Sequence, residues 1–217
     1  MLKAVIFDLD GTLYKSPQYV EAFYDSLLEL MGEKLGIDRK RAFEVFGEIR
    51  RPNISTASAA ERLGEEASTL YEELAQRLHP EKYIARDPAL KETLSKLRSC
   101  GLRLAVLTNA GRSLAFNVLK ALGLSSMEFD VILTRDEVTP KPSQQAFRAV
   151  LERLRIQPTE AVYVDDLRQM VRQAKQLGMR TILISEAEAE HGYVDAVARS
   201  PQQVSKLLEK GLDSRRE

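Results

Sequence analysis

Ala4-Val5-Ile6-Phe7-Asp8-Leu9-Asp10-Gly11-Thr12 begins as an apolar run and continues with two acids and a glycine. Its apolar start, rich in branched residues and ended by a glycine turn, is typical of a buried strand in a parallel sheet. Asp8 and Asp10 lie two residues apart where this strand ends, so extended backbone would turn both carboxylates to the same side. Gly11 allows the chain to leave in a backbone conformation that other residues resist. Because ligands of open parallel sheets bind beyond the carboxyl ends of the strands, this pair of acids is a candidate ligand site. The alternative is a strand end with a solvated acidic turn, which an Asp-x-Asp pair on its own would favour.

Composition and charge narrow the possible functions. The chain has 217 residues, enough for one α/β domain with a small insert, and its 32 basic and 32 acidic residues cancel. Nothing in this balance favours binding to nucleic acid, and no apolar run approaches the length of a membrane span. We expect no signal peptide and a cytoplasmic location, since the first strand starts almost at Met1. With one cysteine and two histidines, the carboxylates are the remaining candidates for the chemistry.

A helical segment interrupts the sheet pattern after the first strand. Between Tyr14 and about Arg86, apolar residues recur at helical spacing and no strand pattern appears. Such a segment is much longer than a strand-to-strand crossover needs, so we predict an inserted all-helical domain. The predicted apolar stripes are Val20, Phe23, Leu27, Leu30 and Met31; then Ala42, Val45, Phe46 and Ile49; then Leu63, Ala67, Leu70, Leu74 and Leu78, which follow a capping-box sequence at Ser58-Ala59-Ala60-Glu61.

Helices and strands alternate from Asp87 onward. Strands are predicted at residues 102–108, near 131–133, at 161–164 and at 181–184, with helices between them. Together with the first strand they predict a doubly wound, Rossmann-like parallel sheet of about five strands with helices on both faces. We therefore predict a discontinuous α/β core formed by residues 1–14 and 87–217, and a helical domain formed by residues 15–86.

Polar residues follow the predicted strands at the edge where Asp8 and Asp10 lie. They are Thr108 and Asn109 after the second strand, Lys141 after the third, and Asp165 and Asp166 after the fourth. Each group alone has an ordinary explanation as a turn, a loop lysine or a helix cap, whereas their appearance at successive strand ends favours a shared site. Carboxylates this close repel one another unless a cation lies among them. Oxygen ligands beside a phosphate suit Mg²⁺.

The chain contains the string Asp8-Leu9-Asp10-Gly11-Thr12, which is followed in order by Thr108, Lys141 and Asp166. This set of residues resembles the signature of the haloacid dehalogenase superfamily of phosphohydrolases. The resemblance implies that Asp8 is the nucleophile that forms an aspartyl-phosphate, and that Asp10 is the general acid and base. Thr108, Asn109 and Lys141 would bind the phosphate. Asp8, Asp10 (through its backbone carbonyl) and Asp166, with Asp165 as an accessory acid, would hold Mg²⁺.

Two positions depart from the family pattern. Many relatives carry a further acid where this chain has Met170, and a serine where it has Leu167. We expect Met170 to pack against the core, because it shares an apolar helix face with Val171 and Ala174. The helical insert matches the small cap that selects substrates in the family. Its residues Arg50, Arg51, Asn53, Ser55 and Thr56 could reach the substrate, but solvated surface positions are the better explanation for the arginines, so we leave these residues out of the predicted site.

The resemblance implies a Mg²⁺-dependent phosphatase of small phosphorylated metabolites, acting on small-molecule phosphate esters as a monomer or homodimer. Two alternatives remain open. One is a phosphomutase similar to β-phosphoglucomutase, which returns the phosphoryl group to a sugar. The other is a non-catalytic binding protein that has kept the fold. A dehalogenase is disfavoured, because family members that release halide lack the acid matching Asp10.

Overall fold

The computed structural model describes residues 1–49, 66–187 and 192–213, and it consists of a parallel sheet with helices on both faces. The six strands are β1 (Ala4–Phe7), β2 (Arg103–Leu107), β3 (Val131–Leu133), β4 (Ala161–Asp165), β5 (Arg180–Ile184) and β6 (Ala196–Ala198). The described helices are α1 (Pro17–Leu35), α2 (Arg39–Ile49), α3 (Ala67–Arg77), α4 (Pro88–Ser99), α5 (Arg112–Ala121), α6 (Gln144–Leu154), α7 (Arg168–Gln176) and α8 (Gln203–Asp213), with 3₁₀ turns at Pro80–Lys82, Ser126–Glu128 and Pro158–Glu160. The predicted doubly wound α/β class is confirmed.

The order of the strands is β3-β2-β1-β4-β5-β6, which puts β1 at the point where the winding direction of the sheet reverses. The chain builds outward from β1 through β2 and β3, then returns to add β4 on the other side of β1. Phe7 pairs with both Val106 and Val164, so these three strands end at the same level. This reversal opens a crevice beyond the strand ends, and the residues that follow Phe7, Leu107 and Val164 all enter it.

The sixth strand, β6, is one more than the sequence predicted. It is three residues long and pairs only with β5, with Leu183 opposite Val197. Two of its three residues are alanine, which has little intrinsic preference for strands. Neighbouring side-chain contacts support it instead, because Asp195 accepts hydrogen bonds from the backbone N–H and the hydroxyl of Thr181.

Two hydrophobic layers enclose the sheet. Alternate β1 residues point to opposite faces: Val5 and Phe7 pack in one layer, and Ala4 and Ile6 in the other. The first layer contains the buried sides of α1 to α5 and α8, and the second those of α6 and α7. Both faces of β1 are covered, and all of its residues are apolar. The first polar residue after β1 is Asp8, which enters the crevice.

In the described part of the helical segment, α3 packs against α5, and α1 contacts both α2 and α3. Ser16 caps α1 by accepting a hydrogen bond from the Tyr19 N–H, with Pro17 at the first helical position. Leu27, Leu30 and Met31 are buried as predicted, whereas Val20 is 51% exposed. The capping-box sequence at 58–61, Leu63 and the five polar cap candidates between 50 and 56 lie outside the described residues. None of the described helices is long and apolar enough to cross a membrane.

Candidate active site

Asp8 and Asp10 both line one cavity at the end of β1. The backbone N–H of Asp8 still belongs to the sheet, since it donates to the carbonyl of Val164 at 2.9 Å. The chain then turns sharply, with the N–H of Leu13 donating to the carbonyl of Leu9 and with φ of +87° at Gly11. Asp8 is therefore fixed by the sheet and buried, whereas Asp10 lies in the turn and is exposed to the cavity.

Lys141 is the buried cation of the site. Its ammonium donates to Asp8 Oδ1 at 2.6 Å, to the Tyr163 hydroxyl at 2.8 Å and to Asp165 Oδ2 at 3.2 Å. These contacts use its three N–H donors. Burial lowers the pKa of Lys141, but the charges of Asp8 and Asp165 outweigh this effect and raise it. Lys141 is therefore a fixed positive charge beside the candidate nucleophile.

The pKa of Asp8 lies well above its ordinary value. Burial is the main cause, Lys141 opposes it, and the charges of Asp165 and Asp10 raise the pKa further. Asp166 shows the same effect, because burial and the charge of Asp165 raise its pKa. Burial and the repulsion from neighbouring carboxylates therefore both oppose ionisation of these acids.

Asp10 is held by a hydrogen bond that the sequence did not reveal. The Tyr14 hydroxyl donates to Asp10 Oδ1 at 2.5 Å, and the Thr108 hydroxyl lies 3.5 Å from Oδ2. Although its side chain opens on the cavity, the surrounding protein raises the pKa of Asp10, and the hydrogen bond from Tyr14 opposes that shift. Burial and the nearby charge of Asp10 raise the pKa of Tyr14, so this phenol stays protonated as a donor.

Thr108 and Asn109 follow β2 and lie beside the acids. Thr108 Oγ1 accepts a hydrogen bond from the Ala110 N–H at 3.0 Å. The Asn109 amide makes two bonds to the backbone of Lys141: its Oδ1 accepts from the N–H at 2.7 Å, and its Nδ2 donates to the carbonyl at 2.9 Å. Asn109 therefore ties the loop that carries Lys141 to the end of β2, in addition to lining the cavity.

Three carboxylates form a group that could hold a metal ion. One oxygen from each of Asp8, Asp165 and Asp166 lies within 4.8 Å of the others. Gly11 makes room for Asp166, because a Cβ on this glycine would lie 2.4 Å from Asp166 Oδ2. Thr12 holds Asp166 in place by accepting from its backbone N–H at 3.0 Å. An all-oxygen, strongly anionic group of this kind fits Mg²⁺. The Asp10 carboxylate lies outside this described group, as expected for a residue predicted to offer only its backbone carbonyl.

The cavity above these groups has a volume of about 270 Å³. The described lining comes from the loops after β1, β2, β3 and β4, from α1 and α3 of the helical segment, and from α5 and α7. The described lining residues are Asp8, Asp10, Tyr14, Tyr19, Val20, Phe23, Tyr24, Tyr71, Thr108, Asn109, Ala110, Leu114, Val118, Lys141, Leu167 and Met170. The catalytic and phosphate-binding residues predicted from the sequence are all among them. Met170 is buried as expected, and Leu167 is 53% exposed at the rim.

Sequence reasoning missed Thr12, Tyr14 and Tyr163 as site residues. The role of Tyr163 could have been predicted from its position. It precedes Asp165 by two positions on β4, so both side chains leave the strand on the same side. Its hydroxyl donates to Asp165 Oδ2 while accepting from Lys141. Tyr14 had a weaker signal, since it lies four residues after Asp10 in a turn whose path the sequence does not specify.

Comparison with known proteins agrees with this geometry. A family model for haloacid dehalogenase-like hydrolases matches residues 5–184. The ribulose-1,5-bisphosphate 5-phosphatase of Halopiger xanaduensis is 32% identical over 215 aligned positions, covering 87% of this chain and 87% of that protein. The glyceraldehyde 3-phosphate phosphatase of Methanocaldococcus jannaschii is 27% identical over 200 positions, covering 85% of each. The crystal structure of a haloacid dehalogenase-type phosphatase from Thermococcus onnurineus superposes with a TM-score of 0.72 at 29% identity, covering 95% of this chain and 98% of that one.

The chain belongs to the haloacid dehalogenase-like hydrolases. The resemblance inferred from the motif residues is thereby confirmed. The predicted enzyme class, a phosphoric monoester hydrolase of this family, is also confirmed by relatives that are named as phosphatases.

Proposed function

We propose that this protein is a Mg²⁺-dependent phosphatase of small phosphorylated metabolites that works through an aspartyl-phosphate on Asp8. The observation that carries the proposal is the meeting of Asp8, Asp10 and Lys141 at one end of a single cavity. A fixed nucleophile, a proton donor on the adjoining turn and a buried cation are the groups that phosphoryl transfer needs.

The reaction would proceed in two displacements. A carboxylate oxygen of Asp8 attacks phosphorus while the bond between phosphorus and the ester oxygen breaks, and the carboxyl of Asp10 gives its proton to the leaving oxygen. Asp10, now ionised, then takes a proton from a water molecule whose oxygen attacks phosphorus, which releases inorganic phosphate and restores Asp8. Tyr14 holds Asp10 throughout, and Lys141 lies beside the oxygens of Asp8.

Mg²⁺ would be held by Asp8, Asp165 and Asp166, with the Asp10 carbonyl as a further ligand. When bound it supplies positive charge that offsets the repulsion between these carboxylates and the phosphate. The chain's own contribution is to keep the acids in place: Gly11 leaves space for Asp166, and Tyr163 and Lys141 hold Asp165.

The direct test is hydrolysis of p-nitrophenyl phosphate by the purified protein, with Mg²⁺ and with chelator. We expect Mg²⁺-dependent release of p-nitrophenol that is lost in Asp8→Asn. Asp25→Asn is the matched control, because this acid lies on α1 in an exposed ion pair with Arg39. Turnover that survives Asp8→Asn would contradict the mechanism. Equal binding of a protein partner by wild type and Asp8→Asn, without turnover in either, would favour the non-catalytic alternative.

A phosphomutase would differ in what accepts the phosphoryl group. Phosphate release from many unrelated esters supports the phosphatase, whereas strict dependence on a bisphosphate activator would support the mutase. The same assays therefore decide between the two enzymes.

We further propose that the segment 15–86 is a cap domain on a core formed by 1–14 and 87–217. The support is that α1 and α3 form the cavity wall facing the acids, through Tyr19, Phe23 and Tyr71 among others. The cytoplasmic location and the monomeric or homodimeric state stay predictions of the sequence.

A further inference from the structure

We propose that Asn109 is a positioning residue for phosphoryl transfer, which holds Lys141 beside Asp8 through the backbone of Lys141 and does not itself bind the phosphate. This inference rests on the proposed phosphatase function and changes the role that the sequence predicts for Asn109. It follows from the hydrogen bonds of the Asn109 amide and from the path of the loop that carries Lys141.

The side-chain amide of Asn109 is paired with a single residue. Its Oδ1 accepts a hydrogen bond from the Lys141 N–H at 2.7 Å, and its Nδ2 donates to the Lys141 carbonyl at 2.9 Å. The oxygen has to face the N–H and the nitrogen has to face the carbonyl, so this pairing fixes the plane of the amide. Both polar atoms of Asn109 therefore hold the backbone of Lys141.

The loop after β3 is joined to the loop after β2 at both of its ends. At its start, the Arg135 N–H donates to the Ala110 carbonyl at 3.3 Å. At its far end, Lys141 returns to the same β2 loop, where both hydrogen bonds come from the side chain of Asn109. The place of the Lys141 backbone therefore depends on this one amide.

The other end of the Lys141 side chain carries the charge next to the candidate nucleophile. Its ammonium donates to Asp8 Oδ1 at 2.6 Å, and the side chain is only 3% exposed. Close packing around a buried side chain leaves it little freedom to compensate for a shift of its backbone. Release of the backbone would thus draw the ammonium away from Asp8. Misplacing a catalytic group by about 1 Å costs on the order of 100-fold in rate.

The alternative is that Asn109 binds the phosphate directly. Asn109 lines the cavity together with Asp8 and Thr108, and Nδ2 has a second hydrogen that the pairing with Lys141 does not use. The two roles differ in their coupling to Lys141. A residue that acts through Lys141 matters only while the ammonium is present, whereas a direct ligand of the phosphate matters in either case.

The first test measures kcat/KM for p-nitrophenyl phosphate with Mg²⁺ in wild type, Asn109→Ala, Lys141→Ala and the double variant. An alanine at position 141 keeps its N–H and carbonyl, so Asn109 retains its backbone partners in that protein. We expect Asn109→Ala to lower kcat/KM by about 10- to 100-fold in the wild-type background. In the Lys141→Ala background we expect a loss of less than about twofold.

The second test measures the Kd of inorganic phosphate with Mg²⁺ by calorimetry, which needs no turnover and so also serves for slow variants. We expect Asn109→Ala to leave this Kd unchanged within about twofold in the Lys141→Ala background. Asn117→Ala is the matched control for both tests. Its amide lies on α5, donates to the Ala75 carbonyl at 3.4 Å and is not among the described lining residues of the cavity. We expect it to behave as wild type.

The outcomes separate this inference from the proposed function. Equal losses from Asn109→Ala with and without the Lys141 ammonium would indicate direct phosphate binding or a general loss of structure, and either result overturns the inference while the protein remains a phosphatase. An Asn109→Ala protein as active as wild type overturns it as well. If the wild type neither hydrolyses the ester nor binds phosphate with Mg²⁺, the proposed function fails, and this inference fails with it.

Discussion

The ammonium of Lys141 is shared by two carboxylates and a phenol, and this sharing sets the charge balance at the candidate nucleophile. Asp8 follows β1 and Asp165 ends the neighbouring strand β4, and Lys141 forms an ion pair with both of these like charges. Tyr163 completes the arrangement by donating to Asp165 and accepting from Lys141. Buried networks of this kind are stabilising only while every member has its partners.

Tyr163→Phe tests this network by deleting one hydroxyl. The ring would keep its edge-to-face packing on Phe147, at 5.1 Å between centroids. We expect the free energy of unfolding to fall by about 1–3 kcal/mol, because Asp165 and Lys141 each lose a buried partner. Denaturant unfolding in chelator measures this change. Tyr83→Phe, at a position 41% exposed, should change it by less than about 0.5 kcal/mol. Equal effects of the two substitutions would contradict a stabilising role for the Tyr163 hydroxyl.

Tyr14→Phe tests whether the bond to Asp10 serves proton transfer. We expect kcat for ethyl phosphate to fall on the order of tenfold, because the poor leaving group needs a well-placed proton donor. The loss for p-nitrophenyl phosphate should be much smaller, since p-nitrophenolate leaves readily without a proton. Tyr19→Phe is the control, as its ring lies 6.1 Å from that of Tyr14 and lines the same cavity. A similar loss with both esters would indicate a merely structural role.

A single residue can be predicted as functional from the sequence when its type is unusual for its position. Asp8 and Asp166 follow apolar strands, and an acid there has few structural reasons to be present. Tyr163 cannot be predicted in this way, because a tyrosine in a strand is an ordinary core residue and its partner Lys141 is 22 positions away. Contacts between loops depend on tertiary packing that no local pattern encodes.

Among the elements, the contact between α3 and the start of α5 connects the helical segment to the loop after β2 that carries Thr108 and Asn109. Gly111 precedes α5 directly, and a Cβ added there would lie 2.7 Å from Tyr71 Cβ. Tyr71 in turn contacts Phe23 of α1. The close approach of the two backbones therefore brings Tyr71 to the cavity that Thr108 and Ala110 also line.

Gly111→Ala should force α3 away from α5. We expect the free energy of unfolding to fall by about 1–3 kcal/mol, as is usual for an added carbon in a packed interior. We also expect a higher KM for p-nitrophenyl phosphate, because Tyr71 lines the cavity and moves with α3. Gly47→Ala in α2 is the control: nothing lies within 4 Å of its Cβ position, so helix propensity should make it neutral or stabilising by up to about 1 kcal/mol. A neutral Gly111→Ala would show that the contact is not tight.

The helical segment illustrates what a pattern of elements can predict. Its helical content follows from periodicity, and the buried positions of Leu70 and Leu74 agree with that. The sequence pattern predicts Val20 in the same kind of apolar stripe, whereas in the structure this residue lines the cavity. An apolar residue that lines a site and one that lines a core have the same spacing, so periodicity alone does not separate them.

For the whole molecule, the winding of the sheet concentrates negative charge at one point. The reversal beside β1 brings the ends of β1 and β4 together, and with them Asp8, Asp165 and Asp166. The fold thus places carboxylates against one another before any ligand arrives, at a cost in stability that a bound cation would offset.

Mg²⁺ should therefore stabilise the folded protein. We expect the free energy of unfolding to rise with Mg²⁺, by about 2.7 kcal/mol at a hundred times Kd, because the unfolded chain has no assembled site. Thermal or denaturant unfolding with Mg²⁺ and with chelator measures the gain. Asp166→Asn should lose most of it, whereas Asp25→Asn should retain it. A gain of equal size in Asp166→Asn would contradict the assignment of this acid to the metal.

The pH dependence of folding in chelator follows from the same carboxylates. Desolvation by the surrounding protein raises the pKa values of Asp8, Asp10 and Asp166, so from about pH 4 up to the raised values the folded state binds more protons than the unfolded chain. In that window these groups make the free energy of unfolding decrease as pH rises. Exposed acids such as Glu33, whose pKa is lowered by its hydrogen bond from Arg77, act in the opposite direction, so the total slope mixes both effects.

Comparing wild type with Asp166→Asn isolates one of these groups. The asparagine resembles the protonated acid at every pH, so the two proteins should be about equally stable near pH 4 in chelator. As pH rises, Asp166 ionises against Asp165, and the variant should become the more stable protein. With Mg²⁺ the order should reverse, since the ionised acid then has a cation to bind and the asparagine does not. If the free energies of unfolding of the two proteins change with pH in parallel in chelator, ionisation of Asp166 has no cost in stability. In that case the fold would not hold its carboxylates against their mutual repulsion.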